Sequence, residues 1–423
     1  MASAFTPLTS VWAAFNLTDN PFRQDPVETY RAMGRHPLFV GRAQEVEQLA
    51  QRVVSNDCSW AVVQAPAGFG KTSVANAVKA RLYASKAPVL FHPTPISVGS
   101  ATGPDELFTR LLTRLVTMRE SLPPRDRGSD RFWNDLGERL EGGERRAIGV
   151  GAGPLSGSHA RSRVAPELRG DQPEKLFLQA LDRLQKSSRR ALLFHLNDLE
   201  NLSDNDAGRA SALLKDVRAT LRHERTHWLF VGSGDVFARV FQPHPQLSGM
   251  VGIPVTLGAL TPEELLEMLA RRYAVSAVAR EKPVPPIAPE AVAALYATYE
   301  GNLRDFLAVL ESAVWRSGRT HALTLDDVLS AVRPEFRRML VARLSDEDVT
   351  AVETTVAQRW KAGERTIRPT DFVTSGAVEN VHQASRLVKR LEAAGVLSLE
   401  RRKGVAKWYR IAGNDAVGVG AVG

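Results

Sequence analysis

One stretch limits the fold more than any other. Trp60-Ala61-Val62-Val63-Gln64 reads as a short buried strand. It runs directly into Ala65-Pro66-Ala67-Gly68-Phe69-Gly70-Lys71-Thr72-Ser73, and a helical pattern follows to about Tyr83. Strand, glycine-bearing turn and helix is the arrangement that cradles phosphate. Gly68 and Gly70 let the backbone turn so that N–H groups face one anion. Lys71 supplies a cation for the β- and γ-phosphates, and Thr72 a hydroxyl for Mg²⁺. The stretch fits the Walker A pattern except at Ala65, where that pattern has glycine.

The same alternation runs on either side. Leu38-Phe39-Val40-Gly41-Arg42 precedes a helical pattern through Val46, Leu49 and Val53. Val89-Leu90-Phe91, Ala191–Leu196, Trp228–Val231 and Val251–Leu257 read as strands, and Ala207–Leu221 as a helix. Apolar strands separated by helices imply a parallel sheet covered on both faces. Residues 121–172 interrupt it, rich in Arg, Gly, Ser and Pro. They read as an insertion forming a hairpin or mobile loop. The glycines of Ile148–Gly153 have no strand before them and no helix after, so they are not a dinucleotide fingerprint. From Thr261 to about Leu340 the pattern is helical only. Thr261-Pro262-Glu263-Glu264 has a helix-start composition.

The expected architecture is therefore α/β. A loop-rich lead (1–36) precedes a P-loop core with a parallel sheet (37–260). A helical lid (261–340), a winged-helix domain (344–411) and a flexible tail (412–423) follow. A chain of 423 residues suits two or three domains, and 43% hydrophobic with 24% charged residues is ordinary for a soluble globular protein. Cys58 stands alone, so an internal disulfide is excluded and a zinc site is not indicated. No stretch approaches ~20 uninterrupted apolar residues, so no membrane span is expected. Met1–Asn16 lacks the form of a secretory signal. A cytoplasmic protein is expected.

A P-loop ATPase needs a carboxylate at the end of a neighbouring strand to hold the Mg²⁺ shell and orient water. Asn197-Asp198-Leu199-Glu200 follows the strand ending at Leu196. In one alignment Asn197 takes the metal-shell position and Asp198 the water position. In the other Asp198 serves the metal and Glu200 the water. Either departs from two adjacent acids, so ATP binding is better supported than fast hydrolysis. Turnover is expected at or below ~1 s⁻¹. His195, mid-strand, reads as a packed core histidine.

These residues together resemble the origin-recognition and initiator branch of the AAA+ ATPases. Phe39-Val40-Gly41-Arg42 looks like that branch's adenine-contact box. Ser233 matches its "sensor 1" position, and Gly301-Asn302-Leu303-Arg304 looks like "sensor 2", whose Arg reaches the γ-phosphate. The resemblance covers roughly 20–340, and the C-terminal winged helix extends it to about 411. It implies ATP with Mg²⁺, and self-association linked to ATP. The acidic site is degenerate and no clear arginine finger stands out. Arg239 is the nearest candidate. Similar architectures serve transposition, signalling and phage defence.

The net charge of +8 favours anionic partners. From Gly376 to Ile411 there are eight Lys/Arg against three Asp/Glu. A helix from about Ala377 to Ala394 carries Leu387, Val388 and Leu391 on one face. Gln383, Arg386 and Arg390 lie on another, with Lys389 beside them. Gly395 stops it. Val396–Ile411 reads as a hairpin wing bearing Arg401, Arg402, Lys403 and Lys407. A recognition helix in the major groove with a wing on phosphate suits double-stranded DNA. Two readings remain open. One is a nucleotide-dependent switch on DNA. The other is a signalling or scaffold NTPase acting through protein contacts. Further protein partners are expected under both.

Overall fold

The computed structural model describes residues 10–24, 38–98, 102–127, 131–149, 172–199 and 204–422. Helix α1 (Ala43–Val54) leads into β1 (Cys58–Gln64), and α2 (Lys71–Ala84) follows the phosphate-loop segment. Then come β2 (Val89–Phe91), β3 (Ile96–Ser97), α3 (Pro104–Glu120), α4 (Pro124–Arg127), α5 (Arg131–Gly149) and α6 (Gln172–Ser188). The core closes with β4 (Ala191–Leu199), α7 (Asp204–Leu221), β5 (Thr226–Gly232), α8 (Pro245–Val251) and β6 (Val255–Thr256). The sheet runs β2-β4-β5-β1-β6, with β3 beside the end of β4, and every pairing is parallel.

Side chains alternate across these strands. Leu192, Phe194, Leu196, Trp228 and Phe230 pack one face against α3, α6 and α7, with Phe194 stacked on Trp228 at 4.6 Å. Leu193, Leu229, Val231 and Val63 face the other way, onto α1 and α2. β5 is buried along its whole length, as a central strand must be.

Three expectations for the core change. The insertion is not a hairpin or loop where it is described: α5 packs Trp133 and Leu136 into the larger core cluster, with Arg119 over the Trp133 ring. Burial of two large side chains outweighs a composition that looks loop-like. Residues 150–171 lie outside the described residues. The expected strand Val251–Leu257 shrinks to β6, because α8 takes Pro245 to Val251. β4 runs past Leu196 to Leu199 through a register shift.

The lid is α9 (Pro262–Val275), α10 (Pro289–Thr298), α11 (Leu303–Ser317) and α12 (Leu325–Val341). Thr261 caps α9 reciprocally with Glu264: its hydroxyl accepts from the Glu264 N–H at 3.2 Å, and the Glu264 carboxylate accepts from the Thr261 N–H at 2.9 Å. Such a cap contributes about 1 kcal/mol. Part of the N-terminal lead belongs to this unit. A 3₁₀ turn at Val11–Phe15 buries Trp12 and Phe15 in the lid core, and Leu17 and Phe22 follow them.

The C-terminal unit has α13 (Asp346–Lys361), α14 (Pro369–Thr374), α15 (Val381–Ala393) and the hairpin β7 (Ser398–Lys403) and β8 (Ala406–Arg410), the element order of a winged helix. α15 starts at Val381 rather than Ala377, with Asn380 as its cap. The expected flexible tail is instead α16 (Gly413–Val419). Its Val417 enters the lid core, while Ala416, Val419 and Ala421 enter the C-terminal core. Gly418 allows this: a Cβ there would come within 2.8 Å of the Leu340 side chain and 3.2 Å of the Phe336 backbone.

Candidate functional site

The site forms where strand ends line up. Gln64 of β1 pairs with Gly232 of β5, and Gly232 with Leu199 of β4. Three adjacent strands therefore finish level. With strands ~4.8 Å apart, the end of β4 lies about 10 Å from the end of β1. The phosphate loop leaves from β1, Ser233 from β5, and Asn197 and Asp198 sit at the end of β4. The Ala65 N–H donates to the Gly232 carbonyl at 3.4 Å, which ties the first two together.

The loop's glycines adopt the left-handed backbone expected of them, with φ +81° at Gly68 and +78° at Gly70. Gly70 caps α2, whose first N–H groups and dipole then point at the anion position. The Lys71 ammonium donates to the carbonyls of Ala65 at 3.0 Å and Pro66 at 2.8 Å, which holds it along the loop. Thr72 and Ser73 begin the helix at the cleft.

The lid closes directly on this loop. The Leu303 N–H donates to the Gly68 carbonyl at 3.1 Å. A Cβ on Gly68 would collide with Asn302 Oδ1, and one on Gly301 would lie 2.9 Å from the Phe69 ring. Asn302 caps α11, so Arg304 stands in its first turn, facing the loop. The Phe39–Arg42 segment is gripped too. Gly41 (φ +69°) leaves room for Glu264, Arg271 donates to the Phe39 carbonyl at 3.1 Å, and Arg42 donates to the Gly258 carbonyl.

The result is a cleft of about 920 Å³ measured out to open solvent. Its lining joins Phe39, Val40 and Arg42 with Gly68 to Ser73 and with Arg304. Apolar side chains (Phe39, Val40, Phe69) and cations (Arg42, Lys71, Arg304) both line it. Leu260, Met268, Arg272 and Leu307 also line it and carry no motif. Helical spacing was the available signal: Met268 and Arg272 are four apart, Arg304 and Leu307 three. Arg272 also donates to the carbonyls of Pro21 at 3.0 Å and Arg23 at 2.7 Å, fastening the N-terminal segment beside the cleft.

Asn197, Asp198 and Ser233 are outside that lining. By strand alternation Asn197 faces the side of the sheet that α2 covers, as Leu193 does. Asp198 has φ +66° at the register shift, and its carboxylate accepts from the Asn197 amide at 3.2 Å. The amide cannot supply charge to a metal shell; the Asp198 carboxylate can. Glu200 lies outside the described residues. The Ser233 hydroxyl donates to Asp235 at 2.6 Å, and Arg239 lies 3.7 Å from Asp235 on a π-helical turn. Among the described residues no group of three His, Cys, Asp or Glu gathers to hold a metal. Mg²⁺ needs no such cage: Thr72 and Asp198 would hold it together with the nucleotide's phosphates.

His195 is buried, and its Nδ1 lies 3.1 Å from the Lys79 ammonium. Burial lowers the Lys79 pKa to about 7, with the Arg114 charge adding to the shift. Burial likewise pushes His195 well below its usual range, with Lys79 adding to it. It is the packed core histidine its position suggests.

In the C-terminal unit Arg386 and Lys389 are exposed on α15. Gln383 accepts from the Glu379 N–H at 2.9 Å, which fixes it at the helix start. Arg390 departs from expectation. It grips Asp348 of α13 with two bonds, 2.9 and 2.6 Å, because that largely buried carboxylate needs a partner. On the wing Arg401 lies over the Trp408 ring at 4.4 Å, Arg402 donates to the Gly404 carbonyl, and Lys403 and Lys407 flank the tip. Among the described residues no helix is long and apolar enough to cross a membrane.

No known family's sequence pattern matches the chain, and no curated protein matches it. Solved structures similar to it include the ORC1 protein of Aeropyrum pernix in complex with DNA (15% identity, TM-score 0.44, covering 90% of this chain and 92% of that one). The Aeropyrum pernix ORC2 protein is similar at 16% identity and TM-score 0.47, covering 92% and 97%. Cdc6p from Pyrobaculum aerophilum is similar at 14% identity and TM-score 0.42, covering 92% and 95%.

Proposed function

We propose that this protein is an ATP-binding P-loop switch that acts on double-stranded DNA. One observation carries the reading: a single cleft joins the Phe39–Arg42 box, the Gly68–Ser73 loop and lid Arg304. Lys71 and Arg304 are the cations for the phosphates, Thr72 and Asp198 the oxygens for Mg²⁺. Phe39 and Val40 with Leu260, Met268 and Leu307 form the apolar seat of the base. Asn197 in place of an acid makes hydrolysis slow. ATP-linked self-association would bring a cation from a second copy, with Arg239 the nearest candidate in this chain.

DNA would meet Arg386 and Lys389 on α15, with Gln383 near base edges, and Arg401, Arg402, Lys403 and Lys407 on the wing. Arg390 is committed to Asp348 and contributes less than its position suggests. The signalling reading draws on that pair and on Asn197: both reduce what a DNA motor would use. A salt titration of duplex binding by the full chain separates them. If about four phosphates are neutralised, log affinity falls with log salt at a slope of roughly −3.6. Changing Arg401, Arg402 and Lys403 to Ala weakens binding to all sequences and flattens the slope. Absence of duplex binding at low salt by the folded chain supports the signalling reading instead.

A further inference from the structure

The turn between α10 and α11 touches two places at once. On one side it meets the phosphate loop. Gly301 (φ +90°) packs against Phe69, Asn302 stands against Gly68, and Leu303 bonds the Gly68 carbonyl at 3.1 Å. Arg304 then enters the cleft. On the other side it meets the base of the wing. Glu300 accepts from Arg410 of β8 at 2.8 Å, and the Tyr299 hydroxyl donates to Asn414 at 2.8 Å, at the start of α16.

The turn has little slack. Glu300 and Gly301 are both left-handed, at φ +51° and +90°, and the Asn302 N–H donates to the Tyr299 carbonyl at 2.9 Å. Tyr299 is anchored in the lid core. A shift of α11 toward a phosphate, drawn by Arg304, therefore has to move Glu300 as well.

Arg410 is placed to register that shift. It is shared between Glu300 of the lid and Glu400 of β7, the latter at 2.5 Å. The two carboxylates are 39% and 34% exposed, and Arg410 38%. Exposed ion pairs add little stability, so the lid contact can be given up while Arg410 stays with Glu400. Making or breaking the lid contact therefore costs little, as a contact that couples two sites requires. The C-terminal unit is also held on the lid through α16, clipped by Arg343 to Asp415 and by Arg333 to the Gly418 carbonyl, and directly by Arg337 of α12 to Glu353 of α13 at 2.8 Å.

We propose that the Tyr299–Arg304 turn and Arg410 form a relay by which nucleotide in the cleft changes how the wing is held, and by linkage duplex on the wing changes nucleotide affinity. This rests on the reading of the cleft as a nucleotide site. The test is amide hydrogen exchange on the full chain, with and without a non-hydrolysable ATP analogue, its binding followed in the same samples. Wild type is expected to show at least an about fivefold change in exchange across 398–410, the lower end of typical coupling. Glu300→Gln and Arg410→Gln should lose that response while binding the analogue within about twofold of wild type. Glu400→Gln, which leaves the lid contact in place, should keep it. Analogue bound with no change at 398–410, or a full response in both Glu300→Gln and Arg410→Gln, overturns the relay and leaves the cleft assignment standing. A wild-type chain that does not bind the analogue overturns both.

Discussion

The Gly68–Ser73 loop and the wing, proposed to meet a nucleotide and a duplex, are built to different tolerances at Gly68 and at the wing tip. At Gly68 a single methyl has no room, because a Cβ there meets Asn302 and the backbone is left-handed besides, whereas a Cβ on Gly70 would meet nothing within 4 Å. At the wing tip a Cβ on Gly404 would meet nothing within 4 Å, and neighbouring Val405 is 96% exposed. All six residues of β7 are exposed. A compact triphosphate is recognised by N–H groups fixed at ~2.7–3.2 Å, so the backbone must be held. A duplex presents a long line of charge, and binding it needs cations on a surface more than fixed positions. Close packing at Gly68 is therefore what the proposed nucleotide site would need, and open charge what the proposed duplex surface would need.

Matched substitutions sharpen the contrast. Gly68→Ala should cost several kcal/mol where clash and left-handed strain add, each ~1–3 kcal/mol, and should abolish binding of an ATP analogue. Gly404→Ala, at φ +62° in open space, carries only the left-handed strain, ~1–3 kcal/mol, and should leave nucleotide binding unchanged. Thermal unfolding and analogue titration of both check this. Equal losses would mean the loop is no more tightly specified than the wing.

A smaller effect is expected at the end of β4. Asn197→Asp restores an acid facing the α2 side and should speed hydrolysis or leave it unchanged. Steady-state phosphate release measures it. Rapid wild-type turnover that collapses in the variant would show that Asn197 has been misplaced.

Local chemistry made the loop legible. Gly68, Gly70, Lys71 and Thr72 lie within a few residues of one another, and so do Thr261 and Glu264 at the start of α9. Each is a short-range device, written in consecutive positions. What was not legible depends on distant packing. α5 and α16 have glycine-bearing sequences, and they become helices because Trp133, Leu136 and Val417 find buried places on other elements. The register shift that carries β4 through Asp198 depends on its pairing with β5. Arg390 read as a free basic residue because its partner, Asp348, is 42 positions away. Leu260, Met268 and Arg272 reach the cleft only through the way the lid folds over the loop.

As proposed, the cleft is an ATP site organised around Lys71. Equilibrium titration of a fluorescent ATP analogue with Mg²⁺, wild type against Lys71→Ala, tests it most directly. Charge-assisted hydrogen bonds are worth ~1.5–3 kcal/mol, so affinity should fall by roughly ten- to 150-fold while thermal unfolding stays cooperative. Equal affinity in the two proteins would contradict the assignment.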